Sequence, residues 1–146
     1  MALLISLNAV AQGNYPGQVC ESAIQIPSLP YVTTDNTNNY GDDYEGVPGS
    51  TTSCGISTPT SLFLNGKDVV YAFTPSDNTP VTLTMTPTST WSGIFVYSSC
   101  ENIGVSCVAG IGNSNSNPRV IVLPVTAGQT YYILISTWEL ISQKPF

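Results

Sequence analysis

Val81–Thr86 reads VTLTMT. On an extended chain successive side chains point to opposite faces, so Val81, Leu83 and Met85 fall on one side and Thr82, Thr84 and Thr86 on the other. A helix would scatter the three apolar residues around its axis. The stretch therefore reads as a strand with one face on a core and one in water. The same kind of unit recurs along the chain as DVVYAF (Asp68–Phe73), GIFVYS (Gly93–Ser98), SCVAG (Ser106–Gly110), RVIVL (Arg119–Leu123) and TYYILIS (Thr130–Ser136). The separators TPSDNTP, GNSNSNP and TAGQ are turn chemistry. GIFVYS and TYYILIS are apolar on both faces, as central strands are. No helical period is sustained, and the one helical candidate, Cys20–Ile24, is about one turn long. These signals predict an all-β fold, an antiparallel β-sandwich or jelly roll formed by one domain over residues 12–146.

Composition narrows the function. Charged residues make up 8% of the 146-residue chain, so Ser, Thr, Asn, Gln and backbone must wet its surface. The net charge is −6, and the only cations are Lys67, Arg119 and Lys144. Nucleic acid and anionic membranes both need clustered cations, so neither is an expected partner. No apolar run approaches the roughly 18 residues that would suggest a membrane span. The chain has no histidine, which removes the usual general base, zinc ligand and nucleophile partner. Carboxylate chemistry and calcium binding remain open.

Four cysteines without a CxxC pair suggest disulfides and an oxidising compartment. Cys100 and Cys107 enclose only ENIGVS, and short loops close easily, so the expected bridges are Cys100–Cys107 and, by remainder, Cys20–Cys54. Residues 1–11, ending ALLISLNAVA, read as the remnant of a secretory signal cleaved before Gln12. Secretion or display at the cell surface is the expected location.

A family resemblance emerges from the order of several segments. These are CESAIQIPSLPYVTT (20–34), NNYGDDY (38–44), LNGKDVVYAFTP (64–75), TSTWSGIFVYSSC (88–100), GVSCVAG (104–110) and LPVTAGQTYYILISTW (123–138). Taken together, they resemble the bacterial pre-peptidase C-terminal-like domains, especially those of secreted Bacteroidetes proteins. The resemblance implies a β-sandwich module, typically non-catalytic, placed beside other domains of a larger exported protein. Some related modules bind calcium, or insoluble polymers such as collagen or polysaccharide. In that family the segment after STW runs through a proline-containing turn into a last strand. Here WELISQKPF (138–146) stops where that strand is expected, which predicts a missing C-terminal edge strand and an open sheet edge.

Three groups of residues are candidates for chemistry. DNTNNYGDDYEGV (Asp35–Val47) offers Asp35, Asp42, Asp43 and Glu45 as oxygen ligands for calcium, the one candidate cofactor, with Asp68 to complete the set. The spacing is not that of an EF-hand, and the plainer expectation is a solvated loop whose side chains cap turns. Asp68, at a strand entry, is a turn cap in the same sense, or a partner for Lys67 or Arg119. Trp91 and Trp138, each ending an STW, with Tyr40 and Tyr44, are candidates for stacking on sugar rings; the plainer expectation for both Trp is core packing. Glu21, Glu45, Glu101 and Glu139 are the glutamates available for carboxylate hydrolysis, and none stands in a recognisable catalytic setting. No Ser stands in a G-x-S-x-G elbow, and no catalytic residue is assigned. The expected function is thus a non-catalytic accessory module for attachment or export. The alternatives are a carbohydrate- or polymer-binding module and, behind it, a carboxylate-based hydrolase.

Overall fold

The computed structural model describes residues 15–55 and 62–138. The signal remnant, Glu139 and the expected open end at 139–146 lie outside them. Seven strands follow in chain order: β1 Ile24–Ile26, β2 Val69–Phe73, β3 Val81–Met85, β4 Ser92–Tyr97, β5 Ala109–Asn113, β6 Arg119–Leu123 and β7 Tyr131–Thr137. They form a five-stranded sheet, ordered β1-β2-β7-β4-β5, and a two-stranded sheet of β3 and β6. The helices among the described residues are single 3-10 turns, one of them Cys20–Ser22 within the expected helical turn. The chain is an all-β sandwich.

The register explains the sequence patterns. β3 pairs with β6 from Val81↔Leu123 to Met85↔Arg119. Val81, Leu83, Met85, Ile121 and Leu123 turn toward the large sheet, while Thr82, Thr84, Val120 and Val122 face out. β4 and β7 lie side by side from Ser92↔Thr137 to Tyr97↔Tyr132, with neighbours on both flanks. Their odd and even residues serve two different cores. Ile94, Val96, Tyr131 and Ile133 pack between the sheets. Phe95, Tyr97 and Leu134 pack on the opposite face, under a layer of irregular chain that contributes Cys20, Cys54, Phe63 and Leu64. The segments carrying Cys20, Ala23, Tyr44, Cys54, Phe63 and Leu64 thus do the work of a third layer. Their backbone is held by Tyr97 Oη donating to Pro48 O at 2.9 Å, Ser50 N to Val105 O at 3.1 Å and Val70 N to Gly17 O at 2.8 Å.

Three expectations are corrected. The sheet is not wholly antiparallel: β1, which the sequence did not signal, runs parallel to β2, with Ile24↔Tyr71 and Ile26↔Phe73. The strand expected at Ser106–Gly110 begins at Ala109, because Cys107 is drawn into a bridge. The bridges themselves are Cys20–Cys100 and Cys54–Cys107, not Cys20–Cys54 and Cys100–Cys107. Cys100 and Cys107 both sit in the β4–β5 connection. The irregular layer brings a different segment, Cys20–Ser22 or Thr52–Cys54, against each of them. The bridges span 80 and 53 residues. In the chain-entropy account each such bridge stabilises by about 4 kcal/mol, against about 2 for the short loop expected from sequence. Paired disulfides are compatible with an oxidising, extracellular setting. No helix among the described residues is long and apolar enough to cross a membrane.

Candidate binding site at the aromatic end of the sheet

At one end of the sandwich four strands, three of the large sheet and one of the small, start or stop together. Ser92 opens β4, Thr137 closes β7 opposite it, Asn113 closes β5 opposite Ser92, and Arg119 opens β6 nearby. The residues just outside these strand ends are Trp91 and Trp138. Trp138 N donates to Trp91 O at 2.9 Å, which extends the β4–β7 ladder by one bond. The two indoles meet edge to face, with centroids 4.7 Å apart and planes at 86°. Buried Phe63 touches both, at 5.7 Å from Trp138 and 6.4 Å from Trp91, and lies 6.2 Å from Phe95.

Glycines make the floor for these rings. A Cβ on Gly112 would come within 2.8 Å of the Phe63 ring, and one on Gly93 within 2.4 Å of Phe95. Only hydrogen at these positions lets the aromatic side chains lie flat on β4 and β5.

Trp91 is 44% exposed and is not a core residue. Its φ is +56°, the left-handed region that a bulky side chain rarely adopts, at a cost of about 1–2 kcal/mol. Among the described residues it is the only non-glycine with positive φ. The expectation of core packing fails at Trp91 and holds better at Trp138, which is half-buried against the outer-face core.

Arg119 anchors the polar side of this end. It is 2% exposed. Its guanidinium donates to the carbonyls of Ser92 (3.3 Å), Asn113 (3.2 Å), Asn115 (2.6 Å) and Asn117. It also reaches Asn115 Oδ1 at 3.3 Å. Asn113 Oδ1 accepts from Asn115 N and Asn115 Oδ1 from Asn117 N, two nested Asx turns that shape the loop. The expected pairing of Asp68 with Arg119 is not formed; the two terminal nitrogens of the guanidinium are taken by these oxygens, and its Nε is buried without a partner. The alternating NSNSN pattern showed a turn; nothing in it showed a buried cation at its centre.

The calcium candidates are dispersed. Asp35 Oδ2 accepts from Tyr40 Oη at 2.6 Å and Tyr71 Oη at 3.0 Å, while Oδ1 accepts from Asn36 N at 2.7 Å and Asn39 Nδ2 at 3.4 Å. Burial would raise the Asp35 pKa, but these donors outweigh it and hold it below the usual carboxylate value. Burial and the Asp35 carboxylate push the Tyr40 phenol up to about 12. Asp43 faces Gln18, and Asp42 and Glu45 are exposed. Asp68 is fully buried: its Oδ2 accepts from Tyr44 N at 3.2 Å, and Oδ1 bonds Ser136 Oγ. Burial, with Asp42 nearby, pushes Asp68 up to about 8 against those hydrogen bonds. Among the described residues no three His, Cys, Asp or Glu side chains gather as a metal site. Tyr44 is also spent internally, its Oη accepting from Cys20 N at 2.8 Å. Tyr40 and Tyr44 therefore tie the loop down, and of the four aromatic candidates Trp91 is the exposed one.

The described glutamates, Glu21, Glu45 and Glu101, are all exposed. Glu21 and Glu101 lie on the 3-10 turns joined by the Cys20–Cys100 bridge. A separate cleft of about 510 Å³ lies between Pro27–Leu29 and Phe73–Val81, and Asp77 is the acidic residue that lines it. Asp77 Oδ1 already accepts from Thr79 N at 2.8 Å.

No family model, curated protein or solved structure matches the chain.

Proposed function

We propose that this domain is a non-catalytic attachment module of a larger secreted or cell-surface protein, and that it attaches by holding extracellular polysaccharide at its aromatic end. The observation that carries the reading is Trp91, which is 44% exposed and sits at φ +56° with its indole braced by Trp138. Burial alone would not hold a bulky side chain in that conformation, and strain of this kind clusters at ligand clamps. A flat, rigid, half-exposed indole offers apolar area to a sugar face at little entropic cost. The two disulfides fit an exported protein, and the resemblance to pre-peptidase C-terminal-like domains fits an accessory role. Other domains of the parent protein are the second class of partner.

Retention on insoluble polysaccharides tests this. The oxidised domain is expected to partition onto at least one of cellulose, xylan, mannan or chitin, and Trp91→Ala to elute with the unbound fraction. Equal retention of both proteins on every polymer, or of neither, would refute the reading.

A further inference from the structure

Arg119 gathers four backbone carbonyls around one buried guanidinium: Ser92, Asn113, Asn115 and Asn117. Ser92 is the residue directly after Trp91, and Asn113 is its partner across the β4–β5 ladder. One side chain thus fixes the loop Asn113–Pro118 at the same strand ends as the exposed indole. The loop's residues are all exposed, with three amides and two hydroxyls in five positions. The nested Asx turns use the amide oxygens of Asn113 and Asn115. Their Nδ2 donors, and the whole amide of Asn117, belong to exposed residues and are not used in those turns.

Resting on the polysaccharide reading, we propose that this loop is the polar wall of the glycan site, that Arg119 is its positioning residue, and that the glycan is uncharged. Sugar hydroxyls both donate and accept, and amides are the side chains that answer both needs. An aromatic face with a few fixed polar groups beside it offers a ligand both apolar contact and orienting hydrogen bonds. Fixing the loop beforehand removes an ordering cost from binding. Charge argues against acidic sugars. The chain carries a net −6. Arg119 is buried on carbonyls, and the other described cation, Lys67, is half-buried. A polyuronate would meet repulsion with little to offset it.

Titration calorimetry of the oxidised domain decides the point, with gluco-, xylo- and manno-oligosaccharides, an oligogalacturonate, and the variants Trp91→Ala, Asn117→Ala and Arg119→Lys. Wild type is expected to bind an uncharged oligosaccharide and not the oligogalacturonate. Asn117→Ala is expected to weaken binding about five- to tenfold, the loss of one hydrogen-bonding group. It keeps the backbone N–H and carbonyl that shape the loop, so the fold is retained. Arg119→Lys is expected to change the ratio of gluco- to manno-oligosaccharide affinity. A ratio does not respond to a lower folded fraction, so it separates positioning from mere stability. If Trp91→Ala loses binding while Asn117→Ala and Arg119→Lys keep both affinity and ratio, the loop has no role and only the indole reading stands. Tighter binding of the oligogalacturonate overturns the uncharged class. Failure of wild type to bind any oligosaccharide overturns both readings.

Discussion

Asp68→Asn isolates a fully buried carboxyl group. Asp68 is fully buried between β2 and the loop carrying Tyr44, bonded to Ser136 Oγ and Tyr44 N. Burial raises its pKa from 3.8 to about 8. Because the folded value is the higher one, the folded state holds a proton that the unfolded chain has released. The contribution to stability is therefore complete below about pH 4, falls as pH rises through the window to about 8, and is flat above it. Each unit of that window is worth about 1.4 kcal/mol, so the loss is on the order of 4–5 kcal/mol by neutral to mildly alkaline pH. Asparagine matches the neutral acid in shape. Its oxygen accepts from Tyr44 N and its amide donates to Ser136 Oγ. The variant is expected to equal wild type near pH 4 and to exceed it progressively toward pH 8. The assay is urea unfolding of the oxidised proteins, followed by tryptophan fluorescence, at half-unit steps from pH 4 to 8.5. Exposed carboxylates titrate alike in both proteins and cancel in the difference. Parallel stability curves, or an Asn variant that is less stable at pH 8, would show that Asp68 ionises freely in the fold and would refute the reasoning.

Five further outcomes are expected. Trp91→Gly relieves a left-handed backbone, worth about 1–2 kcal/mol, while removing a half-exposed ring; its melting temperature is expected to stay within a few degrees of wild type, and a large drop would place the indole in the core. Peptide mapping of the unreduced protein should yield Cys20–Cys100 and Cys54–Cys107 fragments, and a Cys100–Cys107 fragment would contradict the fold. Replacing Cys20 and Cys100 together by Ser is expected to cost about 2–5 kcal/mol in denaturant unfolding, because the closed loop is long. Asp35 has a lowered folded pKa, so its contribution is present above the unfolded value and lost as pH falls through the folded one. Asp35→Asn should therefore flatten the acid limb of the stability profile, while melts in calcium and in EGTA should coincide.

What could be read from the sequence follows from how locally each feature is determined. VTLTMT and RVIVL each carry their own period, and β3 and β6 lie where they were expected, since one face is wet. GIFVYS and TYYILIS showed that both faces were covered, but not by what. The cover on one side is an irregular segment with no period to recognise. β1 is three residues long, IQI, and exists because the edge of β2 accepts it in parallel. The disulfides depended on that cover too. Loop length ranked Cys100–Cys107 first, whereas the packed layer brought Cys20 and Cys54 to the same connection. Tyr40 and Tyr44 were visible as aromatics beside acids. That they are spent on Asp35 and the Cys20 amide follows only from where the loop folds back. Trp91 was visible too, yet its left-handed backbone is set by strands that converge from four places in the chain.

That convergence also accounts for how the strain at Trp91 persists. A single left-handed residue between TPTST and a strand would relax if its neighbours were free to move. Here Ser92 is held on two sides at once, by Asn113 on β5 and Thr137 on β7. Its carbonyl takes a third tie from Arg119, and the Trp91 carbonyl takes a fourth from Trp138 N. β4 itself is buried along its whole length and paired on both sides. The cost of the unusual backbone is thus distributed over a framework too stiff to yield. The indole is fixed at the strand end before any ligand arrives, and replacing Arg119 should release the loop beside it while leaving the β4–β7 ladder, and so the indole, in place.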